Sequence, residues 1–274
     1  MSNSRILHDF YGISRGSKLL IIGSFFGNLA MGTIFTDLSY FLHTVRGISI
    51  IYAGLVFTIE GISASSLAIP FGMISDRKGR KMMIIYGNII LGFSVIFIAL
   101  STTPFLLFLA AIIIGISDAA YTSSQGAMLS EISTNEKRTA SFSLNSLASN
   151  GAWAGRGFIL YLISPLSVIG ITELDVHLIL YFALGIATIG STLFLLRIKE
   201  IKQESRNENH AIMDRGSWHI IGKYVISNLG IAVGAGLFVP LMTQWFNYKY
   251  ISKKAPTFRE VMNCEMFIDI NCLV

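Results

Sequence analysis

Several charged side chains lie inside long apolar stretches of this sequence: Asp37, Glu60, Asp118, Arg156 and Lys223. A charge near the centre of a hydrocarbon layer costs about 2.5–3.5 kcal/mol on insertion scales, so such residues are good candidates for a functional role. A carboxyl group in that position can bind a proton or a cation, and an arginine can form an ion pair with it. These residue types therefore indicate proton or cation binding within an apolar body.

Three of these charges lie at comparable depths. Counted from the polar end of its stretch at about 1.5 Å per residue, Glu60 lies about 18 Å deep, Asp118 about 20 Å and Arg156 about 26 Å. A long arginine side chain can bridge such a difference. We therefore expect Arg156 to pair with Asp118 or Glu60, while one of the acids binds a proton or a cationic solute. A buried structural pair without a functional role is the alternative.

The other two charges are weaker candidates. Lys223 lies near the start of its stretch, and its long side chain can reach the interface with water. Asp37 lies close to the far end of the first stretch, where we expect it to be hydrated. We keep Asp37 as a further proton-binding candidate.

The composition indicates that lipid surrounds most of the chain. Of 274 residues, 53% are hydrophobic and 14% are charged, whereas soluble domains carry about a quarter charged residues. A membrane-spanning helix needs about 20 mainly apolar residues. Seven stretches qualify, at about 19–42, 50–74, 82–101, 105–130, 139–163, 175–196 and 218–246. We predict an all-α, polytopic membrane protein with a six-helix bundle and a seventh transmembrane helix.

The basic residues alternate between the connecting segments. Lys and Arg number three in the N-terminal segment, four, two and five in the second-to-third, fourth-to-fifth and sixth-to-seventh connections, but only one, Arg46, in the remaining connections. Because positive charge accumulates on the cytoplasmic side, we expect a multi-pass protein of the cell membrane with a cytoplasmic N-terminus.

A decapeptide between the second and third stretches reads Gly-Met-Ile-Ser-Asp-Arg-Lys-Gly-Arg-Lys, residues 72–81. Its order of glycine, small, acidic and basic residues resembles the signature loop of the major facilitator superfamily, and every position of that pattern matches. The residues that carry the resemblance are Gly72, Asp76, Arg77, Gly79, Arg80 and Lys81.

The resemblance implies a six-helix bundle built from two inverted three-helix repeats. It also implies that the first, second, fourth and fifth helices line a central cavity while the third and sixth lie outside it. Asp76 and Arg77 would then clamp a second bundle. Polar side chains that could contact a solute are Asn28, Tyr121, Gln125, Asn145, Asn150 and Gln244.

The fifth stretch departs from the pattern of many exporters in this superfamily. They carry Gly-Pro where this chain has Gly155-Arg156. Without the proline, the expected kink site is absent. This weakens the case for an antiporter and leaves symport open.

We divide the chain into an N-terminal cytoplasmic segment (1–18), a six-helix transmembrane bundle (19–197), a polar cytoplasmic linker (198–217), a seventh transmembrane helix (218–247) and a tail unlike the family (248–274). The tail has mixed polarity and contains no further membrane-length apolar run. We interpret the chain as a truncated or frameshifted member of the family.

These features predict a secondary active transporter that carries a small solute by coupling to an ion or to protons, without a cofactor. The sequence contains no metal-ligand spacing, no phosphate-binding loop and no nucleophile–base set, so we expect no enzyme activity. Its basic residues form no nucleic-acid stripe. Two alternatives remain: a non-transporting membrane fragment from a broken gene, and a half-size carrier that acts as a dimer. The expected partners are the lipid bilayer, the solute and either a second copy or a missing C-terminal half.

Overall fold

The structure is a computed structural model that describes residues 12–163 and 171–199, together with Trp245 and Lys249. Helices dominate this part of the chain. They are α1 (Arg15–Tyr40, continued by a π-helical turn at Phe41–Val45), α2 (Ile50–Lys78), α3 (Arg80–Leu100), α4 (Pro104–Ile132), α5 (Arg138–Ile163, preceded by a 3-10 turn at Asn135–Lys137) and α6 (Glu173–Leu196).

The predicted all-α fold is confirmed, and each of the first six predicted helices corresponds to one in the structure. The predicted seventh helix at 218–246 and most of the tail lie outside the described residues. The signature decapeptide is not the short loop that we expected. Residues up to Lys78 belong to α2, and Gly79 alone separates α2 from α3, with φ at 103° and ψ at 129°. A positive φ of this size favours glycine, which has no Cβ to clash.

Helix ends are set by local sequence. The hydroxyls of Ser14, Thr103 and Thr172 each accept a hydrogen bond from a backbone N–H in the first turn of α1, α4 and α6. Such N-caps satisfy donors that have no partner inside the helix. Pro104 follows at the first position of α4, where its missing N–H does no harm.

In the part of the chain that the structure describes, five helices are long and apolar enough to cross a membrane: α1 with its π turn, α2, α3, α4 and α6. The helix α5 is comparably long, with 26 residues, and carries more polar side chains. In hydrocarbon every backbone polar group must be satisfied within the protein, which a continuous helix achieves by itself.

The helices pack in a symmetric pattern. The most extensive contacts join α1 to α5 and α6, α4 to α2 and α3, and α3 to α6. If α1, α2 and α3 are exchanged with α4, α5 and α6, respectively, the same set of contacting helix pairs is obtained. The tertiary packing thus displays the two three-helix repeats that the sequence does not reveal by internal similarity.

Glycines permit the closest crossings. At the contact of α3 with α6, a Cβ on Gly92 would lie 2.7 Å from the carbonyl oxygen of Gly185, and a Cβ on Gly185 would lie 2.7 Å from that of Gly92. Because both obstacles are backbone atoms, neither helix can accept a side chain there without moving. The contact between α3 and α6, which joins the two three-helix halves, therefore depends on Gly92 and Gly185.

Replacing Gly185 by alanine is expected to lower the free energy of unfolding by about 1–3 kcal/mol, because overpacking forces the two helices apart. The matched control is Gly190→Ala on the same helix, since no atom lies within 4 Å of a Cβ built there. We expect that variant to be neutral or slightly more stable, as alanine favours helix over glycine. Thermal unfolding in detergent measures both, and equal losses of stability would contradict the close-contact argument.

Candidate functional site

A cavity of about 280 Å³ lies within the bundle. Five of the six helices contribute to its wall, and α4 contributes most. The lining residues are Gly27, Asn28, Met31, Phe35, Glu60, Asn88, Leu91, Ser117, Asp118, Tyr121, Thr122, Gln125 and Trp153.

Two carboxylates, Glu60 of α2 and Asp118 of α4, face this cavity together. The close approach of their helices brings them into it. A Cβ on Gly115, one turn before Asp118, would lie 2.5 Å from the backbone oxygen of Glu60 and 2.6 Å from Cβ of Ser63. Two ionised carboxylates in one partly dry cavity repel each other, so a bound proton or cation relieves that repulsion. This arrangement can therefore bind positive charge.

Aromatic and amide groups complete the wall. Phe35 and Trp153 form an edge-to-face pair with ring centroids 5.7 Å apart. Nε2 of Gln125 donates to Oγ of Ser24, 3.0 Å away, and to Oδ1 of Asn145, 3.1 Å away. Gln125 thus joins α1, α4 and α5 while still lining the cavity.

The remaining polar candidates have different positions. Asn28 and Tyr121 line the cavity. Asn145 reaches it only through its hydrogen bond to Gln125. Asn150 is exposed and does not belong to the lining. Gln244 lies outside the described residues, as does the side chain of Arg156, so the pairing expected for Arg156 stays a prediction.

Sequence reasoning missed Asn88, because the resemblance implied that the third helix lies outside the cavity. That expectation is wrong, since Asn88 and Leu91 of α3 both line it. Nδ2 of Asn88 donates to the backbone oxygen of Thr188 and to Oγ of Ser191 on α6, each 2.9 Å away. With its amide nitrogen held by α6, Oδ1 points toward Gly27 and lies 3.1 Å from a Cβ built on that glycine. An asparagine in the middle of an apolar helix was the available signal.

The expectation that Asp37 is hydrated is also wrong. Asp37 is only 1% exposed and does not line the cavity. Oδ1 lies 3.4 Å from Nε2 of His177, and Oδ2 accepts a hydrogen bond of 3.2 Å from the hydroxyl of Tyr181. Burial is possible because α6 supplies polar partners that the position of Asp37 in the sequence does not reveal.

The signature residues form a polar cluster at one end of the bundle. Arg80 bridges two acids, with nitrogen–oxygen distances of 2.9 Å to Asp76 and 2.7 Å to Glu131. Nζ of Lys81 donates to the backbone oxygen of Leu196 at 2.9 Å. The start of α3 is thereby tied to the ends of α2, α4 and α6.

Among the described residues, two signature residues have no such contact. Arg77 is exposed. A Cβ on Gly72 would meet no atom within 4 Å. The described residues therefore make no close helix approach at Gly72.

Comparison with known proteins identifies the family. The family model described as Major Facilitator Superfamily matches residues 20–268, which includes most of the segment set apart as a tail. The chain therefore belongs to the Major Facilitator Superfamily and is a multi-pass membrane protein.

Two curated relatives match about half of the chain. An uncharacterized MFS-type transporter, YqjV, of Bacillus subtilis is 29% identical over 136 residues, which are 49% of this chain and 33% of the relative. A Na(+), Li(+), K(+)/H(+) antiporter of Planococcus maritimus is 25% identical over 136 residues, which are 48% of this chain and 32% of the relative. The matched segment thus spans about a third of each relative.

Solved structures confirm the fold. An inward-facing, occupied bacterial homolog of the human lysosomal transporter Spinster superposes with a TM-score of 0.63 at 16% identity, covering 90% of this chain and 56% of that one. The inward-facing, unoccupied form gives a TM-score of 0.64 at 15% identity, covering 96% of this chain and 59% of that one.

Replacing Arg80 by alanine is expected to destabilise the bundle by roughly 1–2 kcal/mol, because it removes the ion pairs to Asp76 and Glu131, and the Glu131 side chain is only 22% exposed. The loss should shrink in high salt, which screens the exposed Asp76. Arg77→Ala removes the same charge from an exposed neighbouring position and should change stability by less than about 0.5 kcal/mol. Chemical or thermal unfolding in detergent at low and high salt tests both expectations, and indistinguishable variants would refute the bridging role.

Proposed function

We propose that the protein acts as an ion-coupled secondary transporter of a small solute, with Glu60 and Asp118 binding the coupling proton or a cationic solute. The observation that carries the proposal is the placement of both acids in one cavity beside aromatic and amide side chains. A protonated carboxyl group no longer attracts a cation, so proton and cation compete for the same pair. Competition of this kind couples the movement of one to the movement of the other.

One relative, the Planococcus maritimus protein, is named as a Na(+), Li(+), K(+)/H(+) antiporter. Its name favours exchange of a monovalent cation for protons as the form of transport. The missing proline beside Gly155 remains the argument for symport. Competition between a proton and a cation for Glu60 and Asp118 leads directly to exchange of the two. We therefore test the antiport form of the proposal.

The transport unit, we further propose, contains a second bundle on the exposed face of α2. Only 11% of the apolar window of α2 is buried, against 39% or more in the other four candidate spans. A Cβ on Gly54, Gly61 or Gly72 of this helix would have no neighbour within 4 Å. Small residues allow close helix approach, and alternating access requires two bundles around a shared site. A second copy of this chain or a separate C-terminal half would supply this second bundle.

Neutralising either cavity acid, by Asp118→Asn or Glu60→Gln, is expected to abolish cation-dependent proton flux. The purified chain would be reconstituted into vesicles carrying a proton gradient, with internal pH followed by a dye after addition of Na+, Li+ or K+. The control is Glu136→Gln, because this exposed acid lies in the turn before α5. That variant should retain full flux.

Unchanged flux in both cavity variants would overturn the assignment of the acids. Absence of flux in the wild-type vesicles would instead favour the non-transporting fragment or the need for a separate C-terminal half. Light scattering of the same solubilised preparation separates a dimeric carrier from a single bundle.

We also propose that the signature end of the bundle faces the cytoplasm in the cell membrane. Arg80, Lys81, Lys137, Arg138 and Arg197 lie at the helix ends on that side, and the positive-inside rule supports this orientation. A single cysteine introduced at position 136, with Cys264 and Cys272 replaced by serine, should resist an impermeant maleimide in intact cells and react once the cells are opened. Labelling of intact cells would reverse the orientation.

A further inference from the structure

A second buried polar cluster lies at the end of the bundle opposite the signature residues. Asp37 of α1 is 1% exposed and His177 of α6 is 5% exposed. Each oxygen of the Asp37 carboxylate has a partner, with Nε2 of His177 at 3.4 Å from Oδ1 and the hydroxyl of Tyr181 at 3.2 Å from Oδ2. None of these residues lines the cavity of Glu60 and Asp118.

The geometry determines which nitrogen of His177 can carry a proton. Nδ1 lies 2.7 Å from the backbone oxygen of Glu173. A carbonyl oxygen only accepts, so Nδ1 is the donor. Nε2 faces a carboxylate, which also accepts when ionised. At 3.4 Å, Nε2 and Oδ1 attract each other only when one of them carries a proton, as the imidazolium or as the carboxylic acid.

Aromatic rings shield the pair from water. The ring of His177 stacks on Phe41 with centroids 5.4 Å apart and on Tyr40 with centroids 6.0 Å apart. Phe41 and Tyr181 are both fully buried. A carboxylate that lost its partner here would have little access to water, since Asp37 is 1% exposed, and an unpaired buried charge is strongly destabilising.

The other charged groups near Asp37 do not replace His177 as the ion-pair partner of its carboxylate. Among the described residues, Glu173, Tyr40, Tyr181 and Arg46 are close enough to act on the pair electrostatically. The guanidinium of Arg46 donates to the backbone oxygens of Ser101, at 2.5 Å, and Ala99. It also lies 4.9 Å from the centre of the Phe41 ring. These contacts hold the guanidinium of Arg46 at the end of α3.

We propose that Asp37 and His177 form a proton-binding site in which one shared proton holds α1 against α6. On release, the proton leaves Nε2 for water, and a neutral imidazole remains beside a buried carboxylate. The ionic attraction between the two side chains is lost at that point, while the hydroxyl of Tyr181 still donates to Asp37. This site is separate from the cavity acids and does not depend on the proposed transport activity.

The test follows the histidine nitrogens of the full chain by NMR in lipid nanodiscs, from about pH 5 to pH 9, a range that spans the usual titration of histidine. His177→Gln assigns the signal of His177 among the five histidines. We expect Nδ1 to stay protonated throughout while Nε2 titrates. Asp37→Asn should move the Nε2 midpoint to lower pH by about one unit or more, a tenfold change, because the attracting charge is gone.

Two further variants complete the test. Tyr181→Phe removes only the hydroxyl that donates to Asp37, so the carboxylate should hold the shared proton more tightly and the midpoint should move to higher pH. This milder variant also serves if Asp37→Asn fails to fold. Asp175→Asn neutralises an exposed acid on the same helix and should leave the midpoint nearly unchanged. A His177 that titrates identically in wild type and in Tyr181→Phe or Asp37→Asn, or that carries its neutral-form proton on Nε2, overturns the proposal.

Discussion

A polar group inside an apolar bundle must have a partner or face a water-accessible space. This constraint accounts for the different surroundings of the acidic side chains in this protein. Asp37 is buried and is held by His177 and Tyr181. Glu60 and Asp118 face the cavity, and in the proposed transporter they bind a proton or a cation there. Asp76 sits at the exposed end and pairs with Arg80. Chemically similar carboxylates therefore lie in three different environments.

The symmetric packing of the two three-helix halves explains where the cavity forms. Gly32 lets α1 approach Trp153 of α5, with a built Cβ 3.3 Å from the tryptophan Cα, and Gly115 gives α4 the equivalent approach to α2. The cavity lies between these two crossings. The Gly92–Gly185 contact of α3 with α6 brings Asn88 close to Thr188 and Ser191. Asn88 is thereby turned toward the cavity although α3 contributes few other lining residues.

Polar contacts tie both ends of the bundle together. At one end Arg80 and Lys81 join α3 to the ends of α2, α4 and α6. At the other end Arg46 binds the last carbonyls of α3, and His177 joins α6 to α1. In the proposed transporter, a bundle fastened at both ends can rock as one body, while its acids remain in the middle where the solute would bind.

The amino-acid sequence by itself determined the helical class, the positions of the first six helices and the family, because apolar length and the signature spacing are local properties of the chain. It also selected Glu60 and Asp118, since a charge within an apolar run stands out without any tertiary information. Only the tertiary structure decided that Asp37 is buried beside His177, that Asn88 reaches the cavity and that Asn150 does not. Those outcomes depend on how helices far apart in sequence rotate and cross, which backbone glycines and long-range packing set and which no local pattern encodes.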